Sequence, residues 1–117
     1  VLYDSRAHGK SPGELHNVGM QDWLEDAQYI LDNVVTSPKA VIVGSSIGGW
    51  TGVLLALSRP ERVSGLVLIA GALDRSEGRW ESMSVEQRAQ AFTTGLIPLD
   101  SPWFHPPPAL GLPFFKQ

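Results

Sequence analysis

A five-residue turn, Gly44-Ser45-Ser46-Ile47-Gly48, constrains this chain more than any other stretch, because of what stands on either side of it. Before it runs Ala40-Val41-Ile42-Val43, short, apolar and rich in β-branched residues, the pattern of a central strand in a parallel sheet covered on both faces. After it, Gly49 to Ser58 is apolar enough for a buried helix, with Trp50, Val53, Leu54 and Leu57 on one side and Arg59-Pro60 closing it. A strand that enters a helix through Gly-x-Ser-x-Gly has little freedom. The turn is so tight that the central serine is held in a strained backbone conformation, and side chains two positions either side would collide, so Gly44 and Gly48 are required. Ser46 is thereby lifted to the sheet edge as a candidate nucleophile. The backbone N–H of Ile47, at the helix N-terminus, is placed to receive an oxyanion. The plainer alternative is that Ser46 only caps the helix in a glycine-rich turn.

Two other readings of these glycines fail. A dinucleotide fingerprint needs glycine where Ser46 stands, and a phosphate-binding loop needs a Gly-Lys-Ser/Thr ending that the chain lacks, so no cofactor is expected. With no cysteine there is no disulfide or thiolate metal site, which leaves chemistry to Ser, His, Asp and Glu and predicts no bound metal. A net charge of -3 without a basic run argues against nucleic acid or an anionic membrane as partner. The longest apolar runs, Ala40 to Val43 and Leu66 to Ala70, are far too short to cross a bilayer, and no signal-peptide pattern opens the chain. A soluble protein, cytoplasmic or mitochondrial rather than secreted, is the expectation. Nothing in the pattern specifies an oligomeric state.

The remaining elements fall around the turn. Val1 to Tyr3 reads as the end of a buried strand, and Asp4 to Gly13 as the loop after it. Met20, Trp23, Leu24, Ala27, Ile30, Leu31 and Val34 follow helical spacing, and Thr36-Ser37-Pro38 breaks that helix. Gly65 to Ile69 repeats the buried-strand pattern. The order strand, helix, strand, helix, strand predicts an α/β layer architecture, a parallel sheet with helices on its faces. Beyond Gly71 the pattern weakens, apart from a capping box at Ser84-Val85-Glu86-Gln87 that predicts a short helix to about Phe92. From Pro98 onward prolines recur without a period, which predicts a loosely ordered tail.

Asp4-Ser5-Arg6-Ala7-His8-Gly9-Lys10-Ser11, Trp23-Leu24-Glu25-Asp26, Val43 to Trp50, Arg59-Pro60-Glu61-Arg62-Val63 and Gly65 to Gly71 together resemble the core of the α/β-hydrolases. The resemblance covers about the first 74 residues. It is nearest to the small serine esterases and thioesterases that include the mitochondrial acyl-protein thioesterase and acyl-glucuronide esterase, whose turn also reads Gly-Ser-Ser, an aliphatic residue, then Gly-Gly-Trp. It implies that the segment runs from the family's fourth strand, through the elbow after the fifth, to the sixth strand and the start of the cap. Ser46 maps onto the nucleophile and Ile47 onto the N–H donor after it. The implied domains are a partial core over 1–74, the start of a cap over 75–97 and a Pro-rich tail over 98–117.

The departures are informative as well. The family's second oxyanion donor follows its third strand, which would lie before Val1, and the chain opens there with no initiator Met. The acid and the histidine follow the seventh and eighth strands, and no apolar strand run with Asp or His at its end comes after Ile69. The resemblance therefore implies a piece of a hydrolase. Within the chain, the order Ser, acid, His is met only by Asp74 or Asp100 followed by His105. Asp74 also suits a loop residue capping a turn, and His105, beside Pro106-Pro107-Pro108, a solvated tail residue. His8 reads as loop architecture, His16 as a surface residue, Asp4 and Arg6 as a buried pair shaping the loop, and Asp26 as solvated. Trp23 and Trp50 belong to the core, while Trp80, Trp103, Phe114 and Phe115 are candidates to line an acyl pocket.

The resemblance implies hydrolysis of small-molecule carboxylic esters or thioesters through an acyl-enzyme. The competing expectation is a catalytically inactive piece that lacks the acid, the histidine and one oxyanion donor. Dehalogenation on the same scaffold would need aspartate at Ser46, whereas hydroxynitrile lyase or cofactor-free haloperoxidase activity keeps the serine.

Overall fold

A computed structural model of the chain describes residues 1–71, 73, 75–98 and 109–111. Helix α1, Met20–Asn33, forms where the apolar spacing predicts it, and Met20, Trp23, Ala27 and Leu31 are its buried stripe. The helix ends by widening, with the Val34 N–H and then the Val35 N–H, five residues on, both donating to the carbonyl of Ile30. Strand β1, Ala40–Ser45, leads through Ser46 into α2, Ile47–Ser58, and β2, Val63–Ile69, returns parallel to β1. Five consecutive pairs, Val41 with Gly65 to Ser45 with Ile69, run in register. A bulge at Ser64 interrupts the pairing below them, and the Ser64 hydroxyl bonds the Ala40 carbonyl across it at 3.2 Å.

Partners in a parallel ladder point to the same face, so the register sorts the sheet. Ile42, Leu66 and Leu68 face α2, whose Gly49 and Gly52 let the helix close on the strands. A Cβ on Gly52 would stand 3.1 Å from Ile42 Cγ2, and one on Gly49 3.6 Å from Leu68 Cδ2. Ala27 and Leu31 of α1 join Leu55 of α2 in a cluster with Ala40, Ile42 and Val63 packed against it. Both helices thus cover one face, contrary to the expected two-sided cover. On the other face Val41 is 59% and Val43 64% exposed, and Val67 and Ile69 are exposed too. The buried side of α2 also differs from expectation: Leu55 is buried and Leu57 exposed. An apolar helix with little amphipathic contrast does not choose its own face. The glycines choose it, because the side without Cβ atoms approaches the sheet.

Val1–Tyr3 forms no strand, against expectation, and is exposed. A strand needs a ladder partner, and among the described residues β1 pairs with β2 alone, leaving none for Val1–Tyr3.

The chain divides into two compact units, Val1–Tyr3 with Asp22–Arg75, and Asp4–Gln21 with Ser76–Gln117. The elements above make up the first unit, apart from the opening residues of α1. In the second, a single 3-10 turn at Leu15–Asn17 precedes two helices, α3 (Arg75–Ser82) and α4 (Val85–Thr94). α3 has no clear signal in the sequence. α4 has the expected capping box, with the Gln87 N–H donating to Ser84 Oγ and the Ser84 N–H to Gln87 Oε1. It runs to Thr94 and stops at Gly95, whose φ of 74° a glycine accepts without strain. Trp80 meets Phe92 edge-on at 5.5 Å, and the Arg88 guanidinium lies over the Trp80 ring. Leu96–Pro98 (β3) pairs antiparallel with Ala109–Gly111 (β4), with Ile97 and Leu110 buried. This corrects the expectation of a patternless tail for those residues. Gly111 packs on the backbone of His16, where no side chain has room.

The loop Asp4 to Ser11 is closed by its own backbone. The Asp4 carboxylate accepts from the Lys10 N–H at 3.0 Å, and the Ser11 hydroxyl donates to the Asp4 carbonyl at 2.6 Å. Asp4 is exposed, against the expectation of a buried position; a carboxylate satisfied by a local N–H has no need of burial. His8 is exposed and His16 half-buried, and His16 pairs with Glu14 at 3.0 Å. Asp26 is half-buried rather than fully solvated.

Candidate active site

The junction of β1 and α2 has the geometry its residues demand. Ser46 takes φ 52° and ψ -121°, in a region that residues with a Cβ rarely enter. Its side chain makes no capping hydrogen bond to α2, which separates it from an ordinary helix N-cap. The residue is exposed. Its backbone is held on both sides: the Ser46 N–H donates to the Ile69 carbonyl at 2.9 Å, and the Ser46 carbonyl accepts from the Gly49 N–H at 3.0 Å. Ile47 opens the helix, so its N–H has no acceptor within α2.

The two glycines of the turn are not equivalent. A Cβ on Gly44 would stand 2.7 Å from Gly49 N and would also strike the Gly48 backbone, so the strand must end without a side chain there. A Cβ on Gly48 meets nothing within 4 Å among the described residues. The expected symmetric need for glycine is corrected by the direction in which each Cβ would point.

Ser46 and Ile47 therefore stand together as adjacent hydroxyl and N–H donors at one turn. Asp74, Asp100 and His105, and the tail aromatics Trp103, Phe114 and Phe115, lie outside the described residues. Among the described residues no group of three His, Asp or Glu is placed to hold a metal ion, and no helix is long and apolar enough to cross a membrane. Sequence reasoning missed the share of β2's end in the site. The Ile69 carbonyl fixes the Ser46 amide, and Gly71 Cα lies 3.2 Å from where a Gly49 Cβ would be. A glycine just past the strand was the available signal.

A parallel β-α-β unit with a strained serine at its strand-to-helix turn defines the α/β-hydrolase class. The chain belongs to that superfamily: a family model described as serine aminopeptidase, S33, matches residues 1–104. It is 34% identical over 90 residues to the mitochondrial palmitoyl-protein thioesterase ABHD10 of Rattus norvegicus, a match covering 77% of this chain and 30% of that protein. It is 40% identical over 70 residues to a putative carbamate hydrolase, RutD, of Variovorax paradoxus, covering 59% of this chain and 26% of the relative. Among solved structures, a putative hydrolase from Agrobacterium vitis superposes with a TM-score of 0.87 at 28% identity, over 97% of this chain and 46% of the other. α/β-Hydrolase domain-containing protein 10 from mouse gives 0.79 at 31% identity, over 97% and 45%. The chain thus spans about a third of the curated relatives' length and under half of the solved neighbours'.

Proposed function

We propose that this chain carries the nucleophile-bearing part of a serine hydrolase that cleaves small-molecule carboxylic esters or thioesters through an acyl-enzyme. The supporting observation is the Ser46 backbone, strained and fixed on both sides while its hydroxyl is left unbonded to the helix it precedes. In this reading Ser46 Oγ attacks the acyl carbon, a histidine takes its proton, and the oxyanion is received by the Ile47 N–H. The proton then passes from the histidine to the departing alcohol or thiol, and water repeats the sequence to free the acid. The thioesterase name of the rat relative supports the thioester branch. Its mitochondrial label supports a mitochondrial site of action. Residues 1–74 serve as the core, 75–97 as the start of a cap and 98–117 as its tail.

A second reading, an inactive chain, is favoured by one observation. The unit that holds Ser46 contains none of the chain's histidines, which are His8, His16 and His105. Asp74 with His105 is the internal candidate pair. Labelling with a fluorophosphonate decides between the readings: modification at Ser46, mapped by mass and lost in Ser46→Ala, is the outcome expected if a base is present. A folded chain that takes no label carries an incomplete triad.

A further inference from the structure

Ser46 and Ala70 are the residues that follow the last register pair of β1 and β2, Ser45 with Ile69, and both have positive φ, 52° and 47°. Neither is glycine. Two neighbouring strands thus leave the sheet, side by side, through residues of positive φ. The consequences are local. The carbonyl of Ile69, immediately before Ala70, accepts the Ser46 N–H at 2.9 Å, so the direction in which Ala70 turns the chain sets the orientation of that acceptor. Just beyond, Gly71 Cα lies 3.2 Å from the Cβ position of Gly49, the residue whose N–H bonds the Ser46 carbonyl. The strand end Ile69-Ala70-Gly71 therefore touches both backbone anchors of Ser46 without contributing a side chain to either.

We infer that Ala70 is a positioning residue: its left-handed backbone holds the Ile69 carbonyl and Gly71 against the turn and so fixes Ser46 in its strained conformation. The inference rests on the nucleophile reading only for its effect on chemistry. Its effect on the backbone stands apart from that reading. Ala70 is exposed, so a side chain there meets little packing, and its backbone conformation is what a substitution changes. Asparagine visits positive φ readily, whereas a β-branched residue resists it.

The test compares Ala70→Asn with Ala70→Val in the full chain by amide hydrogen exchange and by fluorophosphonate labelling. Ala70→Asn is expected to keep the exchange protection of the Ser46 and Gly49 amides. Ala70→Val is expected to lower it by about tenfold while the Ile42 and Gly44 amides, which face β2 from within β1, keep theirs. Where the parent chain takes the label, Ala70→Val should slow labelling of Ser46 by a similar factor without raising the probe concentration that saturates it. Unchanged Ser46 protection in Ala70→Val overturns the inference, as does an equal loss across all of β1 and β2, which marks a merely structural residue. Should Ala70→Val fail to fold, Gly49→Ala, which wedges a methyl group against Gly71, replaces it with the same expected pattern and the same overturning outcomes. Absence of label in the parent chain sinks its activity alone, since the exchange comparison still decides the role of Ala70.

Discussion

The need for glycine at position 44 but not at 48 is a matter of one carbon atom and its direction. Gly44→Ala is expected to lower stability by about 1–3 kcal/mol, because its methyl group meets backbone that has no free rotor with which to yield. Gly48→Ala is expected to raise it by about 0.5–1 kcal/mol, through better helix propensity at an open site. Urea unfolding of the two variants measures both signs. The motif was legible in the sequence and so was the serine at its centre, since the apolar runs on either side place it at a strand-to-helix turn. The asymmetry was not, because a string of residues carries no Cβ vectors. Nor does a sequence distinguish a capping serine from an elbow serine, as both stand first before a helix. The difference lies in the φ of Ser46 and in the absence of a capping bond from its side chain.

The elements were legible where one signal was strong. α1 follows its apolar spacing, β1 and β2 their β-branched runs, and α4 its capping box. α3 has no such signal, and the β3–β4 pair joins short segments far apart in sequence, which no local window can match. Between α1 and β2 the main tie is a side chain that sequence reasoning passed over. The Arg62 guanidinium donates to the carbonyls of Leu31 and Pro38 at 2.9 Å and of Val35 and Ser37 at 3.2 Å, collecting the orphan acceptors at the end of α1. Its partner Asp32, reached by Arg59 at 3.0 Å and by Arg62 at 3.6 Å, is a third exposed, and such pairs contribute little. Arg62→Lys is therefore expected to cost about 2 kcal/mol, since an ammonium cannot reproduce the fork. Asp32→Asn should cost under about 1 kcal/mol. Thermal unfolding of both variants checks the order. At the start of α4 the Glu86 carboxyl is held below its ordinary value, first by its own backbone N–H and then by the Ser84 hydroxyl. A lowered carboxyl stabilises the fold above the ordinary carboxylate range and loses that contribution as pH falls through it. The amides of α4's first turn should thus lose protection on acidification in the parent chain and much less in Glu86→Gln, as an NMR titration would show.

For the whole molecule, the uncovered sheet face is the feature that composition concealed. Val41, Val43, Val67 and Ile69 lie on one side of the two-stranded sheet, each exposed, and beside them both strands end in the turns that hold Ser46. An apolar strand surface of this kind promotes association. The double substitution Val41→Thr, Val43→Thr is expected to lower self-association in sedimentation velocity while leaving the far-UV circular dichroism unchanged. The β1–α2–β2 unit that bears this face has a further property. Its strands join through a short crossover: the Ser64 hydroxyl reaches an Ala40 carbonyl only 24 residues away. Closing a loop of this size costs less chain entropy than a longer crossover would. The strained serine thus lies inside a single crossover, and the groups that fix its turn, from Gly44 and Gly49 to Ile69 and Gly71, all belong to that one short stretch of chain.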